Sequence, residues 1–209
     1  MLPLHPMILD PKSVSPGAFY QFMISVVVPR PIAFVSTMSA DGQLNVAPFS
    51  YFNAITNQPP LVGISINRRG GEPKDTLRNI EQTGEFVVNT VDEALGPRMV
   101  QTSGEWPVNV DEFQLTGLTP VGSDLVKPPR VGESPVSMEC RLYKIVELGS
   151  TFFVVGEIVR AHVKDEVLTD GRVDITKLRP LGRLGGDGYS VVRDVVRMPR
   201  PKVEPKPAG

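Results

Sequence analysis

The stretch that decides the fold runs from residue 32 to residue 50, IAFVSTMSADGQLNVAPFS. Two apolar-rich runs, 32–39 and 43–50, stand on either side of Ala40-Asp41-Gly42. Asp-Gly between two such runs is the strongest short signal for a β-hairpin, because glycine readily adopts the positive φ that these turns need. The sequence therefore predicts that the chain folds around antiparallel strands.

Further strand-like runs follow along the chain. They lie at 61–66, 86–91, 138–147, 151–163 and 189–193. Gly156, in the middle of the longest run, predicts a bulge or bend of the kind that curls a sheet. Strands and helices do not alternate regularly, so an antiparallel barrel is predicted instead of a doubly wound sheet.

Residues 15–28 predict the first helix. Ser15 offers a capping hydroxyl, a proline follows it at the first helical position, and the proline at position 29 restricts the residue before it. The apolar side chains Phe19, Phe22 and Met23 recur at helical spacing. We expect this face to pack into the core.

Two shorter helices and one irregular segment are predicted in the middle of the chain. Residues 75–82 form a helix with Asp75 as its cap and Gly84 just past its end. Residues 92–102 predict another helix, which a Gly-Pro pair weakens. The segment 103–136 is rich in turn residues and prolines, which favours an ordered but irregular excursion.

Composition limits the class of protein. The chain has 209 residues, with 21 prolines, 19 glycines and a formal net charge of −1. So many glycines and prolines argue against long helices, and the neutral balance gives no electrostatic reason to expect nucleic acid or a membrane surface as a partner. We predict an extended leader at 1–14, one domain at 15–198 and a proline-rich tail at 199–209.

The few metal-ligating and nucleophilic residues exclude several kinds of site. Cys140 is the single cysteine, and the two histidines, His5 and His162, are far apart in the sequence. We therefore expect no disulfide framework, no metal site and no Ser–His–Asp triad, and we interpret His162 as a strand residue with a structural hydrogen bond. The chain shows neither a signal peptide nor an apolar run of spanning length, which indicates a cytoplasmic protein.

Several residues are suited to binding a phosphate group. Lys74-Asp75-Thr76 opens a helix, where backbone N–H groups and the helix dipole favour an anion. Ser36-Thr37 offers two hydroxyls, and Arg30 stands between two prolines, from where it could reach the same anion. From the residues alone, an ordinary helix cap and a surface arginine are the simpler interpretations.

Five blocks of the sequence, in order, resemble a known family. They are PRPIAFVST at 29–37, NVAPFSYFNA at 45–54, PPLVGISIN at 59–67, KDTLRNIEQTGEFVVN at 74–89 and PLGRLGGDGY at 180–189. Together they are similar to the flavin reductase-like family of FMN-binding split barrels, which includes the flavoredoxins. The resemblance implies a mainly β, Greek-key split β-barrel with a few short helices, and FMN bound commonly at the interface of a homodimer.

The same resemblance implies which residues bind the cofactor. The phosphate contacts would be Arg30, Ser36, Thr37, Lys74, Asp75 and Thr76. The loop around the isoalloxazine ring would be Ala47, Pro48, Phe49, Ser50, Tyr51, Phe52 and Asn53. The terminal motif with Arg183, Gly185, Gly186 and Tyr189 would pack near the flavin, from the same chain or from the partner subunit.

The resemblance also implies an activity. The family's commonest role is hydride transfer from NAD(P)H to flavin, which supplies reduced flavin to a partner oxygenase or redox protein. Stacking and orientation serve this reaction more than a protein acid or base does, so no catalytic side chain is predicted. Two alternatives stay open, since similar folds host different functions: an electron-transfer protein that keeps FMN bound, and a non-catalytic barrel dimer.

Overall fold

The computed structural model describes residues 7–68, 70–107 and 110–201. The first six residues of the predicted leader, with His5 among them, lie outside this part, as do residues 202–209 of the predicted tail. The division into leader, domain and tail therefore stays a prediction.

The described chain contains short helices and many strands. The helices are α1 (Pro16–Val26), α2 (Asp75–Thr83), α3 (Gly96–Thr102), α4 (Glu112–Thr116) and α5 (Ile175–Leu178), with a 3₁₀ turn at Asp165–Val167. The strands are β1 (Arg30–Pro31), β2 (Ala33–Met38), β3 (Leu44–Phe49), β4 (Phe52–Asn57), β5 (Pro60–Asn67), β6 (Glu85–Asn89), β7 (Pro120–Val121), β8 (Arg130–Val131), β9 (Val136–Leu148), β10 (Thr151–Val163), β11 (Leu168–Thr169), β12 (Arg172–Val173), β13 (Leu181–Arg183) and β14 (Tyr189–Val191).

Seven antiparallel strands form the main sheet, in the order β3-β2-β6-β9-β10-β5-β4. Strands β3 and β5 also contact each other, so the sheet curls back on itself as a barrel. The predicted hairpin joins β2 to β3, and Gly42 at its turn has φ +86°. The mainly β prediction is confirmed.

Glycine sits where the barrel needs close packing and a bend. At Gly156 the pairing of β10 with β9 shifts register, as the sequence predicted, and a Cβ there would overlap the ring of Phe86. A Cβ on Gly63 of β5 would overlap the ring of Phe153, which fills the space above it. The run 61–66 is therefore covered on both faces.

Two apolar clusters lie on opposite faces of β2. Val35 belongs to the barrel interior, where Leu77 and Ile80 of α2 also lie. Phe34 belongs to a second cluster, which α3, α4 and the far face of β3 complete. Coverage on both faces explains why 32–35 is an unbroken apolar run.

The first helix has the predicted limits but not the predicted environment. Ser15 caps it by accepting a hydrogen bond from the Ala18 amide. Of its residues only Ile24 is buried, whereas Phe22 and Met23 are each 39 % exposed. The expectation that this apolar face packs into the core is therefore wrong for this single chain.

Three other assignments change in the structure. The segment 103–136 is less irregular than expected, since α4, β7 and β8 lie within it. The Gly-Pro pair expected to weaken the third helix instead begins it at Gly96, with proline in the first turn. Strand β4 was not predicted, and it forms an edge of the main sheet.

No helix among the described residues combines the length and apolar character needed to cross a membrane.

Candidate functional site

A cleft of about 400 Å³ opens at the N-terminus of α2, and we call it the α2 cleft. The end of β3 forms one wall and the chain after α3 forms another. Its lining residues are Asn45, Ala47, Pro48, Phe49, Glu72, Pro73, Lys74, Asp75, Thr76, Arg78, Thr102, Ser103, Gly104, Trp106 and Glu112. Six of the predicted site residues are thus brought together: Ala47, Pro48, Phe49, Lys74, Asp75 and Thr76.

The N-terminus of α2 faces this cleft without a side-chain cap from any described residue. Lys74, not Asp75, is the N-cap, and its ammonium group lies 5.6 Å from the centre of the Phe49 ring. Asp75 is the first helical residue, and its carboxylate pairs with Arg78 one turn later. The predicted role of Asp75 as the cap is therefore wrong, but the helix does present its first amides to the cleft.

A buried polar network forms the floor of the α2 cleft. The Thr76 hydroxyl donates to Asn45 Oδ1 over 2.9 Å, and Asn45 Nδ2 lies 3.0 Å from both carboxylate oxygens of Glu112. The amide of Val46 donates to the same carboxylate over 3.2 Å. The floor therefore joins α2, β3 and α4 through hydrogen bonds.

Glu112 is the unforeseen member of this network. Burial raises the pKa of its carboxyl, hydrogen bonds from Val46 and Asn45 lower it in part, and the nearby charge of Asp75 adds to the increase. The net pKa is above the usual value. Only its place one residue after a helix cap, Asp111, marks it in the sequence, and many surface glutamates share that feature.

The two hydroxyls of Ser36 and Thr37 do not reach the α2 cleft. Both residues are fully buried. Ser36 donates to the Pro129 carbonyl over 2.5 Å, and Thr37 accepts from Asn79 over 3.0 Å. Both hydroxyls are held inside the protein by these partners, and the expected phosphate contact of Ser36 and Thr37 stays a prediction.

Arg30 also differs from expectation, since it is buried and acts as a structural clamp. Its guanidinium donates to the carbonyls of Ile24 and Val27 at the end of α1, to the Leu184 carbonyl, each over 2.9 Å, and to Ser50 Oγ over 3.3 Å. Arg30 and Lys74 line different clefts, and the expected phosphate contact of Arg30 stays a prediction.

The expected isoalloxazine loop is divided between two clefts. Its first half, 47–49, belongs to β3 and the α2 cleft, while residues 52–53 begin β4. Ser50, Tyr51, Phe52 and Asn53 line a second cleft of about 450 Å³ with Met23, Val27, Pro29, Arg30 and Pro31. The predicted single loop is therefore two strands joined by a tight turn, and it presents residues to both sides.

The terminal motif lies beside the end of α1. Arg183 donates to the carbonyls of Gly186 and Gly188 and stacks over the Tyr189 ring, with its guanidinium carbon 4.5 Å from the ring centre. A Cβ on Gly185 would lie 3.3 Å from Ser25 Oγ on α1. Within one chain, the motif therefore does not line the α2 cleft.

Trp106 forms an aromatic wall of the α2 cleft that the sequence reading missed. Its indole N–H donates to the Gln101 carbonyl over 3.0 Å, and Gly104 lies under the ring, where a Cβ would be 2.7 Å from the indole nitrogen. Trp106 lies in the segment 103–136, which was predicted to be irregular, so this role was not predicted. The lone tryptophan among turn residues is the sequence feature that could have indicated it.

A second buried carboxylate lies outside both clefts. Glu139 accepts from the amides of Asp124 and Leu125 and lies 2.6 Å from His162 Nε2. The side-chain ligand atoms of Asp124, Glu139 and His162 lie within 4.8 Å of one another. The Asp124 carboxylate also pairs with Arg160. The cluster is internally satisfied, and the predicted structural hydrogen bond of His162 is confirmed.

The sequence and the fold are similar to those of known proteins. The flavin reductase like domain matches residues 25–179. The structure of nitrilotriacetate monooxygenase component B from Bacillus cereus has a TM-score of 0.90 and 34% identity, covering 93% of this chain and 99% of that one. The 2-nitrobenzoate 2-nitroreductase of Pseudomonas fluorescens has a TM-score of 0.87 and 33% identity, covering 97% and 100%.

A flavoredoxin of Desulfovibrio vulgaris (Miyazaki F) has a TM-score of 0.75 and 25% identity, covering 91% of this chain and 97% of that one. The predicted split-barrel fold is confirmed. From the domain match and these likenesses, this chain belongs to the flavin reductase-like family.

Proposed function

We propose that the protein binds FMN in the α2 cleft and transfers a hydride from NAD(P)H to flavin. The observation that carries this proposal is the joining of an uncapped helix N-terminus and a lysine with an aromatic wall in one cleft. A flavin mononucleotide has the matching chemistry, a phosphate at one end and a flat ring at the other.

The donor set fits the phosphate. The α2 amides and the Lys74 ammonium group supply a partial positive charge and a full one, and charge-assisted hydrogen bonds of this kind are the stronger ones. Trp106, which is 38 % exposed, offers the apolar surface that a planar ring needs, and the largely buried Phe49 lines the cleft beside Lys74. When bound, FMN would supply the hydride-accepting chemistry, and the chain's residues would bind and orient it.

The residues on the cleft walls, including the ionisable Glu72, Lys74, Asp75 and Glu112, are assigned no proton transfer in this reaction. Their part in the reaction is to hold two flat rings in stacking distance and to keep water from the contact, which favours transfer through proximity and orientation. Residues 47–49, which form one wall of the α2 cleft, are rigid because they lie in a strand and include a proline.

We propose that the active form is a homodimer in which α1 lies at the interface. Val26 and Val27 are each 56 % exposed, and Tyr51 and Ile55 nearby in the second cleft and on β4 are also exposed. An exposed apolar patch of this kind marks an interaction surface. This arrangement would also bring the terminal motif, including Gly185 and Gly186, against a second chain.

An oxygenase is the partner that the likeness to a monooxygenase component B favours, and we propose that reduced flavin passes to such a protein. The likeness to a flavoredoxin favours the second candidate, an electron-transfer protein that retains FMN. We propose a cytoplasmic location, because the single cysteine, Cys140, is free and the chain has no disulfide framework, which suits a reducing compartment.

Spectroscopy separates these functions. The purified protein is mixed with FMN, and binding is followed by quenching of the fluorescence of Trp106, the single tryptophan of the chain. NADH or NADPH is then added, and its oxidation is followed by absorbance. Quenching with oxidation supports the reductase, quenching without oxidation supports the electron carrier, and a protein that binds no FMN contradicts both.

Lys74→Ala tests the phosphate site. Loss of one charge-assisted contact of about 1.5–3 kcal/mol predicts FMN binding at least tenfold weaker, with riboflavin binding little changed because riboflavin has no phosphate. Lys144→Ala, which removes an exposed lysine outside the cleft, is the matched control. Equal FMN affinity in the two variants would contradict the assignment.

A separate mass measurement in solution tests the dimer, and a monomer that binds FMN would contradict it.

A further inference from the structure

The hydrogen bonds on the floor of the α2 cleft all run towards one carboxylate. Asn79 donates to the Thr37 hydroxyl over 3.0 Å, and the hydroxyls of Thr37 and Thr76 both donate to Asn45 Oδ1, over 3.3 and 2.9 Å. Asn45 Nδ2 donates in turn to Glu112. A hydroxyl has one proton, so Thr76 has none for a ligand in the cleft while Asn45 accepts it.

Glu112 sets this direction through its charge. An ionised carboxylate only accepts hydrogen bonds, so Asn45 must present its NH₂ group to it. A protonated Glu112 has one O–H to donate and keeps an acceptor oxygen for the Val46 amide. The Asn45 amide can then turn, with its oxygen towards Glu112 and its NH₂ towards Thr76, and the Thr76 proton becomes available to the cleft.

We propose that Glu112 is a positioning residue that takes up one proton when a phosphate group binds in the α2 cleft, turning the Asn45 amide so that Thr76 donates to a phosphate oxygen. The inference rests on the proposed function, because it needs the flavin phosphate at the N-terminus of α2. The proton comes from the solvent, and only hydrogen bonds are exchanged.

The charges around Glu112 favour this coupling. The ionisable groups that line the same cleft are Asp75 and Arg78 on α2 and Glu72 and Lys74 before it, and Asp111 is the N-cap of the helix that carries Glu112. Asp75 pairs with Arg78. Strand β3 adds no ionisable group. A phosphate dianion carries more negative charge than the Lys74 ammonium group balances, so its binding adds net negative charge near Glu112 and stabilises the neutral form of the carboxyl. Burial already raises the pKa of Glu112 in the same direction.

Calorimetry measures the coupling directly. FMN is titrated into the full-length protein between about pH 5 and pH 8, in pairs of buffers that differ in ionisation enthalpy, and the difference in heat gives the protons taken up. The FMN phosphate itself has a second pKa of about 6. Its contribution is shared by every variant, so the uptake that belongs to Glu112 is the difference between the wild type and Glu112→Gln.

Glu112→Gln reproduces the neutral form, with an NH₂ to donate and an oxygen to accept. We expect it to bind FMN at least as tightly as the wild type at the upper end of this range, with proton uptake lower by up to one proton per FMN. Glu133→Gln, which alters a partly buried carboxylate outside the cleft, keeps the wild-type uptake. Riboflavin shows no Glu112-dependent uptake with any of the three proteins.

Equal proton uptake in the wild type and Glu112→Gln would overturn the inference and leave FMN binding, and so the proposed function, intact. Absence of FMN binding by the wild type would instead overturn the proposed function. If Glu112→Gln does not fold, infrared difference spectra of the wild type decide: FMN, but not riboflavin, produces a carboxylic-acid C=O band. The absence of that band overturns the inference.

Discussion

Glu112 and Glu139 are both buried glutamates, yet the two regions that hold them shift the pKa in opposite directions. Burial raises the pKa at each site. At Glu139 the amides of Asp124 and Leu125 and the imidazole of His162 outweigh it, and the net pKa is lowered. At Glu112 the amide of Val46, the residue's own amide and the Asn45 side chain do not outweigh burial, and the neighbouring charge of Asp75 is repulsive.

The difference teaches what a buried carboxylate is used for. A carboxylate with a donor for each oxygen and a basic partner ties segments of the chain together and stays ionised. One that keeps a partly unbalanced charge beside a cleft responds to whatever charge enters that cleft. The region around Glu139 is therefore structural, and the region around Glu112 is suited to sensing a ligand.

Glu139→Ala should give the largest effect. It leaves two backbone amides and His162 without their acceptor, and breaking a buried pair costs about 3–5 kcal/mol of unfolding free energy. Because the folded pKa is lowered, this contribution is present above the unfolded pKa of about 4.3 and is lost as pH falls. Urea unfolding at neutral and acid pH measures both effects. Equal stability of variant and wild type at neutral pH would contradict the structural role of Glu139 and so its contrast with Glu112.

Gly156→Ala should give the next largest effect, and we expect it to lower the stability of the barrel only. The added methyl group overlaps the Phe86 ring inside the barrel, and overpacking of this kind costs about 1–3 kcal/mol. Gly122→Ala is the control, since a Cβ there meets nothing within 4 Å. Thermal or urea unfolding shows the loss, and FMN affinity of the folded protein stays unchanged. Destabilisation of the same size in both variants would contradict the packing argument.

Glu112→Ala removes the acceptor of Asn45 Nδ2 and of the Val46 amide, and we expect a loss of about 1–3 kcal/mol. The pH dependence distinguishes this region from that of Glu139. The folded pKa of Glu112 is raised, so its stabilising contribution is present below the unfolded pKa and is lost as pH rises through the folded value. Relative to Glu112→Gln, the wild type therefore loses stability as pH rises. The reverse trend in urea unfolding would remove the contrast.

Asp111→Ala should have the smallest effect. The Asp111 carboxylate caps α4 by accepting from the amides of Phe113 and Gln114, and loss of such a cap costs about 1 kcal/mol. Asp111→Asn keeps the cap and serves as the control. If α4 positions Glu112, loss of the cap also reduces the Glu112-dependent proton uptake in calorimetry. Unchanged uptake in a destabilised Asp111→Ala would show that Glu112 is held by its own hydrogen bonds alone.

Local rules predicted the local structure well. The hairpin turn at Gly42, the helix end at Gly84 and the bulge at Gly156 each depend on backbone geometry that glycine favours, so the residues themselves carry the signal. The cap of α1 by Ser15 is of the same kind. Placement of the Ala47–Phe49 wall beside Lys74 came from the family resemblance, and the structure brings these residues into one cleft.

Contacts between distant segments could not be predicted in this way. Arg30 looked like a surface charge between prolines, but its partners come from α1 and from residue 184. Glu112 reaches Asn45 across 67 positions of the sequence, and no local pattern indicates that pairing. The apolar face of α1 was predicted correctly as apolar, yet periodicity does not tell whether the same chain or another one covers it.

The Arg30 clamp has a consequence for how the protein is made. Its bond to the Leu184 carbonyl spans 154 positions, so the end of α1 and the terminal motif cannot be fastened until residue 184 has left the ribosome. During synthesis the exposed apolar face of α1 therefore lies on a helix whose anchor is still incomplete. A segment translated long after α1 is therefore the one that completes the anchor of this helix.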